Sequence, residues 1–315
     1  LFRSYGTDDI SEAAREKIRA ACKAPESEIY FLAGGTQTNA TVIDALLKSW
    51  QGVISADSGH INVHEAGAIE KGGHKVIALA AVDGKLCADS VEKCCETYFS
   101  DANNDHMVMP GMVYISHPTE YGTLYTLDEL THISRVCRKY NMPLYLDGAR
   151  LAYALACPEN DVSLSDLARL CDVFYIGGTK CGCLFAEAVV IPCKGFIPQF
   201  FTIVKQHGAL LAKGFIAAAQ FDVLFTDDLY TKAGKNAIDT ASRIKKALKE
   251  KGYTFALNSP TNQIFIVLNS DQLEKLSAGI GMSFMEKTAD GRTVMRLTTS
   301  WATTDEDVDR LISLL

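Results

Sequence analysis

The sequence has few features that would direct the protein to a membrane or to nucleic acid. Its longest apolar stretches, residues 76–82 and 214–219, are too short to span a bilayer. It contains no basic run and no interleaving of aromatic and basic residues, and its formal net charge is −7. It begins at Leu1 without a cationic, apolar signal segment. We therefore expect no membrane and no nucleic-acid partner, and because Leu1 is not a natural initiator we expect further residues upstream.

The ten cysteines lack the spacing of a zinc site or of a disulfide framework. Cys94 and Cys95 are adjacent, and Cys181 and Cys183 form a CxC pair without a second pair at zinc-finger spacing. Others, such as Cys137, fall in helical patterns as small apolar residues. We therefore expect no metal site, and unpaired cysteines favour a reducing compartment, the cytoplasm.

The chain has the length and the apolar content for a large core. It has 315 residues, of which 48% are hydrophobic and 22% are charged. Predicted strands and helices alternate as far as residue 191, which indicates an α/β fold with a mainly parallel sheet covered on both faces. Residues 200–225 are predicted to form one long, largely apolar helix.

The pattern changes after residue 226. The predicted elements are a helix over 235–251, strands at 253–257, 263–268, 283–287 and 293–298, and a last helix that begins near Thr304. Helices segregated from an antiparallel sheet indicate an α+β unit. We expect a large domain over residues 1–226 and a small C-terminal α+β domain over residues 227–315.

A lysine stands just past the end of one buried strand. The strand, residues 172–176, leads into Gly177, Gly178, Thr179 and Lys180. Open α/β folds bind ligands at the carboxyl edge of the sheet, where desolvation lowers a lysine pKa and suits the amine to attack a carbonyl. The glycines allow a cofactor to approach, and the Thr179 hydroxyl can bond to a phosphate. Taken alone, Lys180 also fits a solvated loop lysine.

Two further groups lie where a strand ends or a helix begins. Asp147 follows the strand at 144–146, and the run GGTQTN (34–39) opens a helix, whose free N–H groups favour an anion. That run also fits a plain strand-to-helix turn, and it is neither a P-loop nor a dinucleotide fingerprint. A lysine for an imine, a carboxylate for a ring nitrogen and a helix N-terminus for a phosphate are together the groups expected around pyridoxal phosphate.

Six short stretches occur in an order that resembles one family. They are YGTD (5–8), GGTQTN (34–39), HINVHE (60–65), DGAR (147–150), GGTK (177–180) and RLTTSW (296–301). The chain resembles the threonine aldolase and β-eliminating lyase group of fold type I pyridoxal-phosphate enzymes, which have the fold of aspartate aminotransferase. Each stretch is weak alone, but together they span almost the whole chain.

The resemblance implies roles around the cofactor. Lys180 would form the Schiff base, Asp147 would pair with the pyridine nitrogen, and His60 would stack on the pyridine ring. Gly35 and Thr36 would bind the phosphate.

The resemblance also implies substrate and subunit contacts. Arg296 and Arg150 would grip the substrate carboxylate, for which a planar guanidinium is well suited, and Arg150 would also border the cofactor. Tyr5 would reach the site of a neighbouring subunit, and Lys205 would approach a phosphate of the partner chain. The expected assembly is a homo-oligomer, a dimer or a tetramer, with shared active sites.

The expected activity is that of a lyase acting on a small amino acid. It would cleave L-threonine or L-allo-threonine to glycine and an aldehyde. Where some members of the family have a histidine near the substrate hydroxyl, this chain has PTEY (118–121), so Glu120, His60 and a bound water are all candidates for the base. β-Elimination or transamination on the same scaffold, and a catalytically silent homologue, stay open as alternatives.

Overall fold

The computed structural model describes residues 5–315, whose strands form two sheets with helices packed around them. The strands are β1 (Glu28–Leu32), β2 (Gln51–Ala56), β3 (Lys75–Leu79), β4 (Met109–Ser116), β5 (Leu144–Asp147), β6 (Val173–Gly177), β7 (Glu187–Ile191), β8 (Thr254–Phe255), β9 (Gln263–Leu268), β10 (Ser283–Lys287) and β11 (Thr293–Thr298). The helices are α1 (Asp9–Cys22), α2 (Gly35–Leu46), α3 (His60–Val63), α4 (Ala68–Lys71), α5 (Ala88–Ser100), α6 (Leu127–Lys139), α7 (Leu151–Leu155), α8 (Leu164–Leu170), α9 (Phe200–Gln206), α10 (Phe215–Leu224), α11 (Leu229–Glu250), α12 (Ser270–Ser277) and α13 (Asp305–Leu314).

The large sheet has seven strands in the order β1-β7-β6-β5-β4-β2-β3. The pairs from β3 through β6 are parallel, whereas β7 runs antiparallel to both of its neighbours. The prediction of a mainly parallel sheet is therefore confirmed. Because β4, β5 and β6 are parallel neighbours, their carboxyl ends meet at one edge of the sheet.

Both faces of the large sheet are covered, which explains its nearly continuous apolar strands. On β4, Ile115 belongs to the apolar cluster on one face, and Tyr114 belongs to the cluster on the other face. Tyr145 and Tyr175 lie on the same face as Tyr114, since side chains alternate along a strand. Three buried tyrosines on adjacent strands therefore form a row beneath the carboxyl edge.

The small sheet is antiparallel throughout, in the order β10-β11-β9-β8. Its apolar face packs against α11, where Ile244 and Leu248 join Ile264 and Ile266 of β9 in one buried cluster. The four predicted C-terminal strands are present, and β9, β10 and β11 have the predicted bounds. The division of the chain at residues 226 and 227 stays a prediction.

The predicted single helix over residues 200–225 is wrong. The structure has two helices, α9 and α10, separated by residues 207–214. Gly208 adopts the left-handed conformation, with φ of 64°, and the Ala209 N–H bonds back to the Val204 carbonyl. A glycine in this conformation ends an α-helix, even where the apolar pattern continues.

The polar segment over residues 101–111 is not a plain surface loop. Asn104–His106 form a short 3₁₀ helix, and β4 already begins at Met109, because Met109 and Pro110 pair with Gln51 and Gly52 of β2. Within residues 5–315, no helix is long and apolar enough to cross a membrane. The same part of the chain contains no group of three or more His, Cys, Asp or Glu side chains that could hold a metal ion.

Candidate active site

The carboxyl ends of β5 and β6 approach so closely that only glycine fits between them. A Cβ atom on Gly148 would lie 2.0 Å from the carbonyl oxygen of Tyr175, and one on Gly177 would lie 2.5 Å from that of Ala149. The Gly177 N–H donates to the Gly148 carbonyl at 2.9 Å. The glycines of DGAR and GGTK therefore bring the segments that carry Asp147 and Lys180 into contact.

A cavity at this edge of the sheet is lined by six of the residues predicted from the sequence. They are Gly35, His60, Glu120, Asp147, Arg150 and Lys180. The remaining lining residues are Glu65, Ser116, Pro118, Ala149 and Tyr175. The structure thus brings together stretches that lie far apart along the chain.

Asp147 is a buried carboxylate surrounded by hydrogen-bond donors. Its Oδ1 accepts from the Tyr175 hydroxyl at 2.6 Å and from the Ala149 N–H at 2.9 Å. Its Oδ2 accepts from the Tyr114 hydroxyl at 2.7 Å and from Nδ2 of Asn39 at 3.0 Å. Desolvation opposes ionisation, but these donors, led by the two tyrosines, hold the pKa of Asp147 below its usual value. Asp147 is therefore a fixed negative charge at neutral pH.

Lys180 extends into the cavity from the loop after β6. The residue as a whole is exposed, but its amine is largely buried in the cavity. Desolvation and the positive charge of Arg150 lower the pKa of Lys180, against the opposing charges of Asp147 and Glu187. The Lys180 carbonyl accepts a hydrogen bond from the Tyr153 hydroxyl, which holds the backbone. A lower pKa increases the share of neutral amine, the form that attacks a carbonyl.

Thr179, in contrast, is engaged by the backbone. Its Oγ1 accepts the Ala186 N–H at 3.1 Å, and the N–H groups of Gly178 and Thr179 both donate to the Ala186 carbonyl at 3.1 Å. Thr179 is not among the residues that line the cavity. The Thr179 hydroxyl also donates to the Ala186 carbonyl at 3.5 Å, and the phosphate contact that the sequence predicts for this hydroxyl would compete with that bond.

Glu120 is half-buried beside the end of β4. Its Oε1 accepts the Ser116 hydroxyl at 2.7 Å and the backbone N–H of His60 at 3.0 Å. Desolvation raises the pKa of Glu120, and the negative charge of Asp147 adds to the rise, while the Ser116 hydrogen bond opposes it. A carboxylate with a raised pKa is a stronger proton acceptor than an exposed one.

The sequence interpretation missed the groups that hold the predicted ones. Glu65 contacts Nδ1 of His60 at 2.7 Å and Nδ2 of Asn39 at 2.7 Å, and it was not assigned a role. The tyrosines that hold Asp147 were missed as well. For Tyr145, whose hydroxyl donates to Asn39, a signal was present, since it stands two positions before Asp147 and so shares its face of the strand.

Arg296 lies on β11, in the small sheet, and faces the charge of Arg150. Its Nη1 donates to Oε1 of Gln263 at 3.2 Å, and its Nε is buried without a hydrogen-bond partner among residues 5–315. Desolvation and the positive charge of Arg150 lower the pKa of Arg296. Two guanidinium groups with a buried, unpaired N–H are well suited to an anion such as a carboxylate.

Helix α2 begins at Gly35, after Gly34, which supplies no side-chain cap. The first N–H groups of this 12-residue helix and its dipole favour an anion near Gly35 and Thr36. Gly35 lines the cavity, and a Cβ atom there would lie 3.3 Å from the Tyr175 hydroxyl. The helix thus presents its positive end to the same cavity.

Tyr5 and Lys205 lie together, apart from the cavity of their own chain. Nζ of Lys205 is 4.6 Å from the centroid of the Tyr5 ring, and Tyr5 is 39% exposed. Neither residue lines the cavity around Lys180.

The sheet order, the lysine and the buried aspartate define the class of protein, one with the aspartate aminotransferase-like α/β fold. Aspartate aminotransferase of Thermus thermophilus matches this fold with a TM-score of 0.71 at 15% identity, covering 100% of this chain and 87% of that one. A family model, described as beta-eliminating lyase, matches residues 3–271. The chain belongs to the β-eliminating lyase family.

Two relatives are more similar. The low specificity L-threonine aldolase of Pseudomonas aeruginosa is 28% identical over 318 residues, covering 99% of this chain and 88% of the relative. The solved structure of Leishmania major threonine aldolase matches with a TM-score of 0.96 at 40% identity, covering 100% of this chain and 91% of that one. The family and the fold expected from the sequence are confirmed.

Proposed function

We propose that this chain is a pyridoxal-phosphate-dependent aldolase that cleaves L-threonine, L-allo-threonine or related L-3-hydroxy-α-amino acids to glycine and an aldehyde. One observation carries the proposal: the amine of Lys180 and the ionised carboxylate of Asp147, each with a lowered pKa, belong to one cavity. The lyase family of the chain and the activity named for the Pseudomonas and Leishmania relatives support it.

The side chains of the cavity fit the proposed cofactor. When bound, pyridoxal phosphate supplies an aldehyde for a primary amine and a protonated pyridine ring that accepts electrons. Lys180 would be the amine for that aldehyde, and the negative charge of Asp147 would keep the ring nitrogen protonated. The start of α2 at Gly35 and Thr36 would hold the phosphate. The imidazole of His60 would cover one face of the ring.

The two arginines would bind the substrate carboxylate. The unpaired Nε of Arg296 supports this role, because a bound anion would satisfy it and offset the repulsion from Arg150. A carboxylate held at two points fixes the rotation of the substrate about Cα. That rotation selects the bond that breaks and so separates cleavage from transamination.

Glu120 would remove the proton of the substrate hydroxyl. As the O–H bond breaks, the oxygen forms the carbonyl of the aldehyde, the Cα–Cβ bond breaks, and its electron pair stays on Cα, which takes up a proton to give glycine. The raised pKa of Glu120 and its place in the cavity support this role. His60 and a bound water remain candidates, and comparing Glu120→Gln with His60→Asn on the same substrate distinguishes them.

We further propose that the protein is a cytoplasmic homo-oligomer, a dimer or a tetramer, whose subunits share active sites. The exposure of Tyr5 and its contact with Lys205 support a role of both residues in a neighbouring subunit's site. Ten free cysteines support a reducing compartment. Light scattering of the purified protein measures the number of subunits.

Product analysis on L-threonine and L-allo-threonine, with pyridoxal phosphate present, tests the activity. We expect glycine and acetaldehyde, and we expect the Lys180→Ala variant to form neither. Ammonia with 2-oxobutyrate would instead identify an eliminating lyase. No product from any L-3-hydroxy-α-amino acid would refute the proposed function.

A further inference from the structure

Glu65 is a buried carboxylate that lines the cavity and has no role in the proposed cleavage reaction. It lies two residues after α3, and its side chain is fully shielded from solvent. Its Oε1 is 2.7 Å from Nδ1 of His60 and 2.7 Å from Nδ2 of Asn39. The same Asn39 nitrogen lies 3.0 Å from Oδ2 of Asp147. Glu65 and Asn39 therefore connect the imidazole of His60 to the carboxylate of Asp147.

The orientation of the Asn39 amide determines which atoms donate in these hydrogen bonds. Its Oδ1 accepts the Tyr145 hydroxyl at 2.8 Å. Its two Nδ2 hydrogens then face Glu65 and Asp147, so that one amide donates to two carboxylates. The reverse orientation would place an amide oxygen against both carboxylates, which is unfavourable.

The imidazole of His60 must match this arrangement. Oε1 of Glu65 already accepts from Asn39, and a proton on Oε2 would lack an acceptor, because Oε2 is buried without a hydrogen-bond partner among residues 5–315. The contact at 2.7 Å is therefore satisfied when Nδ1 of His60 carries the hydrogen. In the neutral ring, Nε2 is then left as an acceptor.

A second carboxylate holds the backbone of the same residue. Oε1 of Glu120 accepts the His60 N–H at 3.0 Å. His60 is thus fixed at two points, with Glu120 at its backbone and Glu65 at its ring. The contact with Glu65 alone determines which ring nitrogen bears the hydrogen.

We propose that Glu65 is a positioning residue that, with Asn39, holds His60 as the Nδ1–H tautomer and leaves Nε2 as an acceptor in the cavity. It acts through His60. Its effect on turnover rests on the proposed function, whereas its effect on the tautomer does not.

Nitrogen-15 NMR of the His60 imidazole, in the protein prepared without added cofactor, measures the tautomer directly. We expect a protonated Nδ1 in the wild type. Glu65→Gln retains an acceptor oxygen and should retain this tautomer, whereas Glu65→Ala should move His60 toward the Nε2–H form that free histidine prefers. An Nε2–H ring in the wild type, or an unchanged tautomer in Glu65→Ala, overturns the proposal.

Turnover gives a second measurement. Glu65→Ala should lower kcat by about 10- to 100-fold, the range known for groups that orient metal-binding histidines, with a smaller change in KM. Glu65→Gln should recover part of that loss, and an equal loss in both variants would contradict the positioning role. If the wild type cleaves no L-3-hydroxy-α-amino acid, the proposed function fails, and the NMR result still decides the role of Glu65.

Discussion

Glu187 offers a prediction about stability that depends on pH. It is the first residue of β7, only 4% exposed, and its Oε2 accepts the Gly178 N–H at 2.9 Å. Desolvation raises the pKa of Glu187 from 4.5 to about 7. The Gly178 hydrogen bond and the positive charge of Lys180 oppose this rise, but their combined effect is smaller than that of desolvation. The folded chain therefore binds a proton at Glu187 that the unfolded chain has already released.

The sign and the magnitude follow from proton linkage. Between the unfolded pKa of 4.5 and the folded pKa of about 7, the folded state holds more protons, so the free energy of unfolding falls as pH rises. At about 1.4 kcal/mol for each pKa unit, the ionised carboxylate of Glu187 costs the folded chain about 3 kcal/mol above pH 7. A neutral isostere removes this cost.

The variant Glu187→Gln tests this account by urea unfolding at a series of pH values, with no cofactor added. Its free energy of unfolding should match that of the wild type near pH 4.5 and exceed it by up to about 3 kcal/mol at pH 8, because the amide still accepts the Gly178 N–H. Glu274→Gln, at an exposed position on α12, is the matched control and should follow the wild type. Equal pH slopes for Glu187→Gln and the wild type would refute the reasoning.

Three further substitutions have expected outcomes. Arg296→Lys should raise KM for the amino acid by about tenfold or more with a smaller change in kcat, because a lysine cannot form a bidentate pair with a carboxylate, and steady-state kinetics measure this. Gly148→Ala should lower the thermal midpoint strongly, because its Cβ atom would lie 2.0 Å from the Tyr175 carbonyl oxygen. Tyr175→Phe should raise the pKa of Asp147 and weaken cofactor binding by about tenfold in a spectroscopic titration, because it removes a donor at 2.6 Å from the charged carboxylate.

Each of these changes has a control or a contradicting result. Gly281→Ala should leave the thermal midpoint unchanged, since no atom lies within 4 Å of the added Cβ. Tyr145 belongs to the same row of tyrosines, but its hydroxyl donates to Asn39 rather than to Asp147. Tyr145→Phe should therefore weaken cofactor binding less than Tyr175→Phe does. A fall in kcat with constant KM in Arg296→Lys would place Arg296 outside substrate binding.

The elements that could be predicted are those with a local signal. The bounds of β9, β10 and β11 follow from apolar runs between turn residues. Asp147 ends one strand and Lys180 stands three residues after another, so both are marked by the strands beside them. The break between α9 and α10 could not be predicted from the apolar period, because that period does not indicate that Gly208 adopts the left-handed conformation that ends α9.

The supporting hydrogen bonds were missed for another reason. Asn39 and Asp147 are 108 positions apart, and their contact depends on the order of strands in the sheet rather than on any local pattern. The shared face of the three tyrosines could be predicted from the two-residue repeat along β4, β5 and β6. Their hydrogen-bond partners could not be predicted in this way. Strand order determines which of these groups meet, and a single sequence contains little information about it.

The two arginines proposed to bind the substrate carboxylate, Arg150 and Arg296, have a consequence beyond catalysis. Arg150 follows a strand of the large sheet and Arg296 lies on the small one, so their mutual repulsion acts between the two layers. An anion that bridges them binds the folded chain and not the unfolded one, and at a hundred times its Kd it adds about 2.7 kcal/mol to the free energy of unfolding. Such binding would link the concentration of small carboxylic acids to the folding equilibrium of this chain, even when no covalent bond is broken.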